Sequence, residues 1–350
     1  MIHLTLFLSV LTAWINKYRR FFLPLSFFLL FVFSSIRYNY GNDYDSYYTW
    51  YKWIHIGGAS PYKSQVGFTW LNMIMPNFFL MVIVISFLFL WSVYRLIRDN
   101  VEEQCYGLAI MIFVINPYLF LINLSAMRQS IAIALFIVAV YFAGKRKVIL
   151  YVLIILLAGI FHTSALVLLP FYLIMNDKKI NAFFGVIVFV VLLVFFVDTN
   201  LFNNSISLVL SAFDEKEYNN LYADSTGNSL RATILSLISL LYVVINIHKL
   251  SGKNLMYSKL YLVSMILAVF EFRLSMLTRI QMYFDIFSVV ALPAIFYTNL
   301  KTYYGKWDRI FNVYLFPAAI LIIYLARYYS FFTNPLWKDF WQYNTLLSLI

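Results

Sequence analysis

Apolar residues run along the chain in long blocks separated by short polar punctuation, and the blocks predict about twelve helical segments. They fall at approximately 2–16, 21–36, 77–94, 105–123, 130–143, 148–161, 163–175, 181–197, 230–247, 258–276, 282–298 and 310–326. A helix that crosses a bilayer needs roughly 20 apolar residues, and a half-helix that dips in and returns needs fewer. At about 1.5 Å per residue, 148–161 and 163–175 are each too short to cross upright. Together they predict a hairpin with Phe161-His162-Thr163-Ser164 as its tip. The chain lacks the polar–apolar alternation in segments of ~10 residues that marks an outer-membrane barrel. The expected class is therefore all-α, a polytopic transmembrane bundle of about 10–12 segments with short re-entrant pieces, forming one integral membrane domain over 1–350.

Composition sharpens this picture. The chain is 63% hydrophobic and 12% charged, against roughly 45–50% and 25% in soluble domains. Its mean hydropathy of +0.80 leaves lipid as the solvent for much of the surface. The single cysteine, Cys105, excludes an internal disulfide. The net charge of +11 does not mark a nucleic-acid partner, because no Lys/Arg run exceeds three residues and the clusters sit between apolar blocks.

Those clusters set an orientation instead. If the segments alternate, one set of short loops holds sixteen Lys/Arg, including Arg95, Arg98, Lys145, Lys249 and Lys301, and the other holds ten spread over longer loops. The first set is expected to be cytoplasmic. Both termini and the loops at about 37–65 and 198–229 then face outward. The basic cluster of Lys17, Arg19 and Arg20 follows the first apolar run instead of preceding it, so that run is read as a retained segment.

Ionisable residues at membrane depth are costly and line cavities, so four places stand out. The first is Arg37 with Asp43 and Asp45 around Gly41, followed by an aromatic stretch that could equally be an interfacial belt. In the second, Arg128 and Gln129 open a helix; a helix N-terminus favours an anion and an Arg there adds a planar fork, while a snorkelling Arg is the plainer alternative. The third is His162 at the hairpin tip, a candidate to bond a phosphate or move a proton. The fourth runs from Glu271 and Arg273 to Arg279 and Asp285, where a structural ion pair is the alternative. The histidines and carboxylates are too scattered for a metal cage, and no nucleotide-binding or hydrolase motif is present. Neither a metal nor another cofactor is expected.

These residues, in this order and spacing, resemble the EpsG-like and Wzy-type polysaccharide polymerases. The likeness rests on Arg37 with Gly41-Asn-Asp43-Tyr44 and Tyr47, and on Leu124-Ser-Ala-Met-Arg128-Gln129-Ser-Ile-Ala. It continues with Gly159-Ile-Phe161-His162-Thr163-Ser164-Ala165 running to Pro170, Thr278-Arg279-Ile-Gln-Met-Tyr283-Phe284 running to Pro293, and Tyr343-Asn344. Members commonly carry Glu shortly before the Gly-aromatic pair that here reads Gln65-Val-Gly67-Phe68, and Gln65 departs from that pattern.

The resemblance implies a glycosyltransferase that joins repeat units carried on undecaprenyl pyrophosphate at the outer face of the bacterial inner membrane. Such an enzyme would build O-antigen, capsule or exopolysaccharide. It further implies Arg128, Arg279 and Arg37 as pyrophosphate ligands, and His162 or Asp43 as the group that moves the proton. Tyr44, Tyr47, Gln65 and Gln129 would contact glycan, with Glu271 and Arg273 in support. Partners would be the lipid-linked oligosaccharides, membrane lipids, and a chain-length regulator and flippase of the same pathway. A glycan ligase would need the same phosphate clamp, and a lipid-linked-oligosaccharide flippase would also use buried Arg, although no internal repeat of the transporter kind is visible.

The orientation is open to a direct check. With Ser60→Cys and Ser225→Cys in whole cells, an impermeant thiol reagent should label both positions from outside. Labelling of both only from the cytoplasmic side would reverse the orientation.

Overall fold

An apolar chain in lipid must satisfy its backbone polar groups within each segment, which helices do. The computed structural model is accordingly almost all helix over the residues it describes, 2–15, 19–60, 65–176, 230–271, 277–302 and 305–346. The elements are α1 (Ile2–Ala13), α2 (Arg19–Ser35), α3 (Tyr44–His55), α4 (Val66–Ile74), α5 (Phe78–Asn100), α6 (Tyr106–Ile115), α7 (Leu121–Ser125), α8 (Met127–Gly144) and α9 (Val148–Phe161). A 3-10 stretch, Thr163–Ile174, precedes α10 (Leu230–Asn246), α11 (Gly252–Phe270), α12 (Leu277–Asp285), α13 (Ser288–Lys301) and α14 (Lys306–Thr333). Two-residue strands, β1 (Arg37–Tyr38) and β2 (Asn344–Thr345), pair antiparallel. The expected segment at 181–197, the loop at 198–229 and Arg273 lie outside the described residues.

Three described helices, α5, α8 and α14, are long and apolar enough to cross a membrane, and α12 with α13 forms a fourth such unit bent by 49°. Shorter apolar helices fill in around them. The protein is thus a multi-pass membrane protein built as an all-helical bundle. Helix α8 packs between α5 and α9, and its Ala132, Ala139 and Ala143 are fully covered, the small residues that let helix backbones approach closely.

Local chemistry explains where the helices stop. The expected segment 105–123 is split because Asn116 precedes Pro117 and takes an extended conformation, ending α6. Asn77 caps α5 by accepting from the Leu80 N–H at 2.7 Å. The expected half-helix at 163–175 is wound as 3-10, with Pro170 inside it. Residues 44–55, expected as loop, form α3, whose Tyr44, Tyr47, Tyr51 and Ile54 make one buried face at helical spacing.

One end of the bundle gathers the pieces that carry the candidate chemistry. There the imidazole of His3 bonds the Tyr328 hydroxyl at 2.6 Å, and the tail after α14 folds back over residues 36–42. Gly41 N–H donates to the Asp339 carbonyl at 3.2 Å, Asn42 Nδ2 to the Leu336 carbonyl at 2.8 Å, and the Tyr343 hydroxyl to the Phe33 carbonyl. Gly41 has φ +102°, and a Cβ there would lie 3.0 Å from Ser125 Cβ, so the turn requires glycine. At the opposite end Lys249 meets Asn299 at 3.2 Å and Asp308 at 3.8 Å.

Arg37 ties this first end together. Its guanidinium is 1% exposed and donates to the Ser34 carbonyl, to Ser86 Oγ at 2.9 Å and to the Leu124 carbonyl at 3.0 Å. Three helices, α2, α5 and α7, are joined by one side chain. Each charge-assisted bond of this kind contributes about 1.5–3 kcal/mol. Arg37→Ala should therefore lower the thermal midpoint of the purified protein by many degrees and expose the tail to protease. An unchanged midpoint with a protected tail would contradict this role.

Candidate functional site

The break between α7 and α8 builds the site. Ala126, at φ −77° and ψ 62°, is non-helical, so α8 restarts at Met127 with Arg128 and Gln129 in its first turn. Arg128 is buried, with Nη1 donating to Gln65 Oε1 at 2.7 Å and Nε to the Tyr47 hydroxyl at 3.2 Å. Gln65 sits at the start of α4 and Tyr47 on the buried face of α3. Neither carries a charge, so neither neutralises the guanidinium. Gln129 turns the other way and donates to the Arg279 carbonyl at 2.8 Å, fixing α12 against α8.

Asp43 and His162 complete the cluster. Asp43 stands at the N-terminus of α3, exposed at the rim, where its backbone N–H donates to Ser125 Oγ at 2.9 Å. Loss of hydration against the surrounding protein pushes its carboxyl pKa up, and Arg128, the Ser125 hydroxyl and Arg279 oppose the rise. His162 occupies the break between α9 and the 3-10 stretch, outside both, and is buried. Burial first, then Arg128 and Arg279, push its pKa down to about 3. It is therefore a neutral imidazole at any physiological pH. Neither ring nitrogen has a hydrogen-bond partner. A buried unpaired imidazole is costly in a folded protein and marks a place where another group can bind.

The elements around His162 are held closely. Gly67 of α4 lets Ile160 approach, since a Cβ there would lie 2.7 Å from Ile160 Cγ2. Ser164 shares a hydrogen bond with the Tyr283 hydroxyl at 3.2 Å, joining the hairpin to α12.

Of the residues singled out in the sequence, Asp43, Gln65, Arg128, Gln129, His162 and Arg279 come together here, from five separate elements or breaks. Arg37 does not turn toward them, because its Nη1 and Nη2 are engaged by α2, α5 and α7. Tyr44 and Tyr47 are 1% and 3% exposed and packed edge-on against Phe78 and Phe68, so neither offers an open ring face to a sugar. Glu271 is buried at the end of α11, one element away from Arg279. Ser125 and Tyr283 lie within the stretches around Arg128 and Arg279 without a charge to mark them, and their bonds to the Asp43 backbone and to Ser164 give them a place.

The arrangement offers two guanidiniums and a neutral imidazole toward one region, with a carboxylate at its rim. It suits an anion of several oxygens next to a group that gives up a proton. The sequence profile of the EpsG family matches residues 20–345. No curated protein and no solved structure matches the chain.

The Gln65–Arg128 bond generates a test independent of activity. Gln65→Leu removes the acceptor and should lower the thermal midpoint in detergent, at a cost of about 1.5–3 kcal/mol for a charged donor left short of a partner. Gln65→Glu, which retains an acceptor, should keep it. Equal midpoints for Gln65→Leu and the unaltered protein would show that Gln65 does not hold Arg128.

Proposed function

The chain belongs to the EpsG family of Wzy-like polysaccharide polymerases, and on that premise we propose that it joins lipid-linked repeat units through the cluster around Arg128. The donor is a glycan on undecaprenyl pyrophosphate, and the reaction takes place at the outer face of the bacterial inner membrane. The observation that carries this reading is the unpartnered, buried imidazole of His162 in the field of two guanidiniums, Arg128 and Arg279.

In this reading an acceptor sugar hydroxyl attacks the anomeric carbon of the donor. The new glycosidic C–O bond forms as the bond to the pyrophosphate oxygen breaks, and the electron pair leaves on undecaprenyl pyrophosphate. Arg128 and Arg279 stabilise the charge that develops there. His162, neutral, donates one hydrogen bond to a phosphate oxygen. Its low basicity leaves Asp43 to take the proton from the attacking hydroxyl, and the raised pKa makes that carboxylate a better acceptor than an ordinary aspartate. Arg37 serves as a staple between helices and takes no part in the reaction.

The test is the product formed when purified protein in nanodiscs meets its lipid-linked repeat unit. Unaltered protein should yield lipid-linked oligomers, and both Arg128→Lys and Arg128→Ala should lose about 10²–10³-fold in rate. Lysine keeps the charge but not the planar fork. A rate for Arg128→Lys near that of the unaltered protein would contradict the clamp, and a substrate moved across the bilayer without any glycosidic bond would identify a flippase.

The pH dependence separates the two proton-transfer candidates. A carboxylate base works only when deprotonated, so the rate should fall as pH drops through the Asp43 pKa, above the ordinary value of about 3.9. His162 stays neutral across that window, so His162→Gln should lower the rate while leaving the midpoint of the profile in place. A midpoint near 6.5 that vanishes in His162→Gln would return the base role to His162.

A further inference from the structure

With the faces of Tyr44 and Tyr47 closed, the sugars need another surface. On the outward end the turn after β1 and the tail before β2 enclose a polar cavity of about 400 Å³. That volume falls within the roughly 300–1,000 Å³ of small-molecule sites. Its walls carry the amides of Asn39, Asn42 and Gln342, the carboxylates of Asp45 and Asp339, and the indole of Trp341, which is 43% exposed.

This lining discriminates between ligand classes. One lysine, Lys338, faces two carboxylates in the same walls, so the cavity does not favour a phosphate. Its surface is mainly polar, so it does not favour an acyl or prenyl chain. Amides and carboxylates offer donors and acceptors in the pairs that vicinal sugar hydroxyls require. A broad indole offers an apolar face for the C–H side of a pyranose ring.

The walls are also fixed before anything binds. Asn39 adopts the left-handed conformation at φ 44°, a conformation asparagine tolerates, and its amide lies within 3.1 Å of the Asp45 carboxylate. Bonds from Gly41 to Asp339 and from Asn42 to Leu336 hold the tail in place. Such pre-organisation reduces the entropy lost on binding. Gly41 lines the cavity and contacts Ser125, the residue whose hydroxyl accepts from the Asp43 N–H. Cavity and Arg128 cluster therefore flank a single turn.

We propose that the cavity between the 39–45 turn and the 338–344 tail is a glycan subsite, with Trp341 as its stacking platform and Asn42, Asp339 and Gln342 reading hydroxyls. It holds a sugar of the chain whose neighbouring residue reacts at Asp43. The proposal rests on the polymerase reading and names where that enzyme holds its glycan.

The experiment uses the full chain in nanodiscs and, as probe, the lipid-free oligosaccharide repeat released from the producing cell's own surface polysaccharide. Saturation-transfer NMR should show binding, weakened about tenfold by Trp341→Ala and retained within about threefold by Trp341→Phe. Gln342→Ala, a change at an exposed residue, should weaken it by about threefold. Arg128→Lys should leave binding of this probe unchanged, because the probe carries no pyrophosphate. Binding by Trp341→Ala and Gln342→Ala equal to that of the unaltered protein, or no binding by the unaltered protein, overturns the subsite. Either result leaves the Arg128 cluster standing if Arg128→Lys still abolishes growth from the lipid-linked substrate, so the two failures are distinguishable.

Discussion

A guanidinium sealed inside an apolar bundle is tolerable only if the protein supplies the hydrogen bonds that water would have made. Arg37 meets this condition at its two terminal nitrogens, drawing the ends of α2 and α7 and the side of α5 onto them, while its Nε keeps no partner. The arrangement at that end of the bundle follows from that convergence. Leu124, which accepts from Arg37, is followed by Ser125, which holds the Asp43 backbone, and Arg128 lies three residues further on, in the first turn of α8. The distance between a rim carboxylate and a buried guanidinium is thereby set by a residue that reacts with neither.

The same logic repeats through the interior. Polar side chains avoid lipid by pairing across helices: Asn116 donates to Asp285 at 2.9 Å, and Asn246 links Asn312 and Asn299 at 2.9 and 3.0 Å. The short π-helical stretch Ile310–Leu315 lies just before Pro317, whose missing N–H disturbs the ladder, and the Asn312 carbonyl is satisfied by the Tyr242 hydroxyl at 3.1 Å. Several buried polar atoms among the described residues lack a partner, such as Asn72 Oδ1 and Asn123 Oδ1, but His162 is the side chain with two such atoms, and its neutrality follows from burial beside two cations.

The fold was legible where a physical signal is local. Apolar runs mark α5, α8 and α14, and the Tyr44, Tyr47, Tyr51 and Ile54 spacing marks α3 once helical period is sought within residues 37–65. The cluster of Asp43, Arg128, His162 and Arg279 was legible because charge near an apolar block is rare enough to notice. What the residues could not reveal is direction. Arg37 and Arg128 both sit beside apolar helices with Ser close in sequence, yet one spends its donors on three helices and the other faces a cluster. Pairing of residues 37–38 with 344–345 spans nearly the whole chain and has no local signature. The polar cavity at Trp341 depends on that pairing and was invisible for the same reason.

The most direct test of the account is to see where the pyrophosphate lies. A cryo-EM structure of the protein in nanodiscs with undecaprenyl pyrophosphate should place phosphate oxygens within hydrogen-bonding distance, about 3 Å, of Arg128, Arg279 and a ring nitrogen of His162. Density for the pyrophosphate elsewhere, such as beside Arg95 at the opposite end of α5, with His162 still unpartnered, would contradict it.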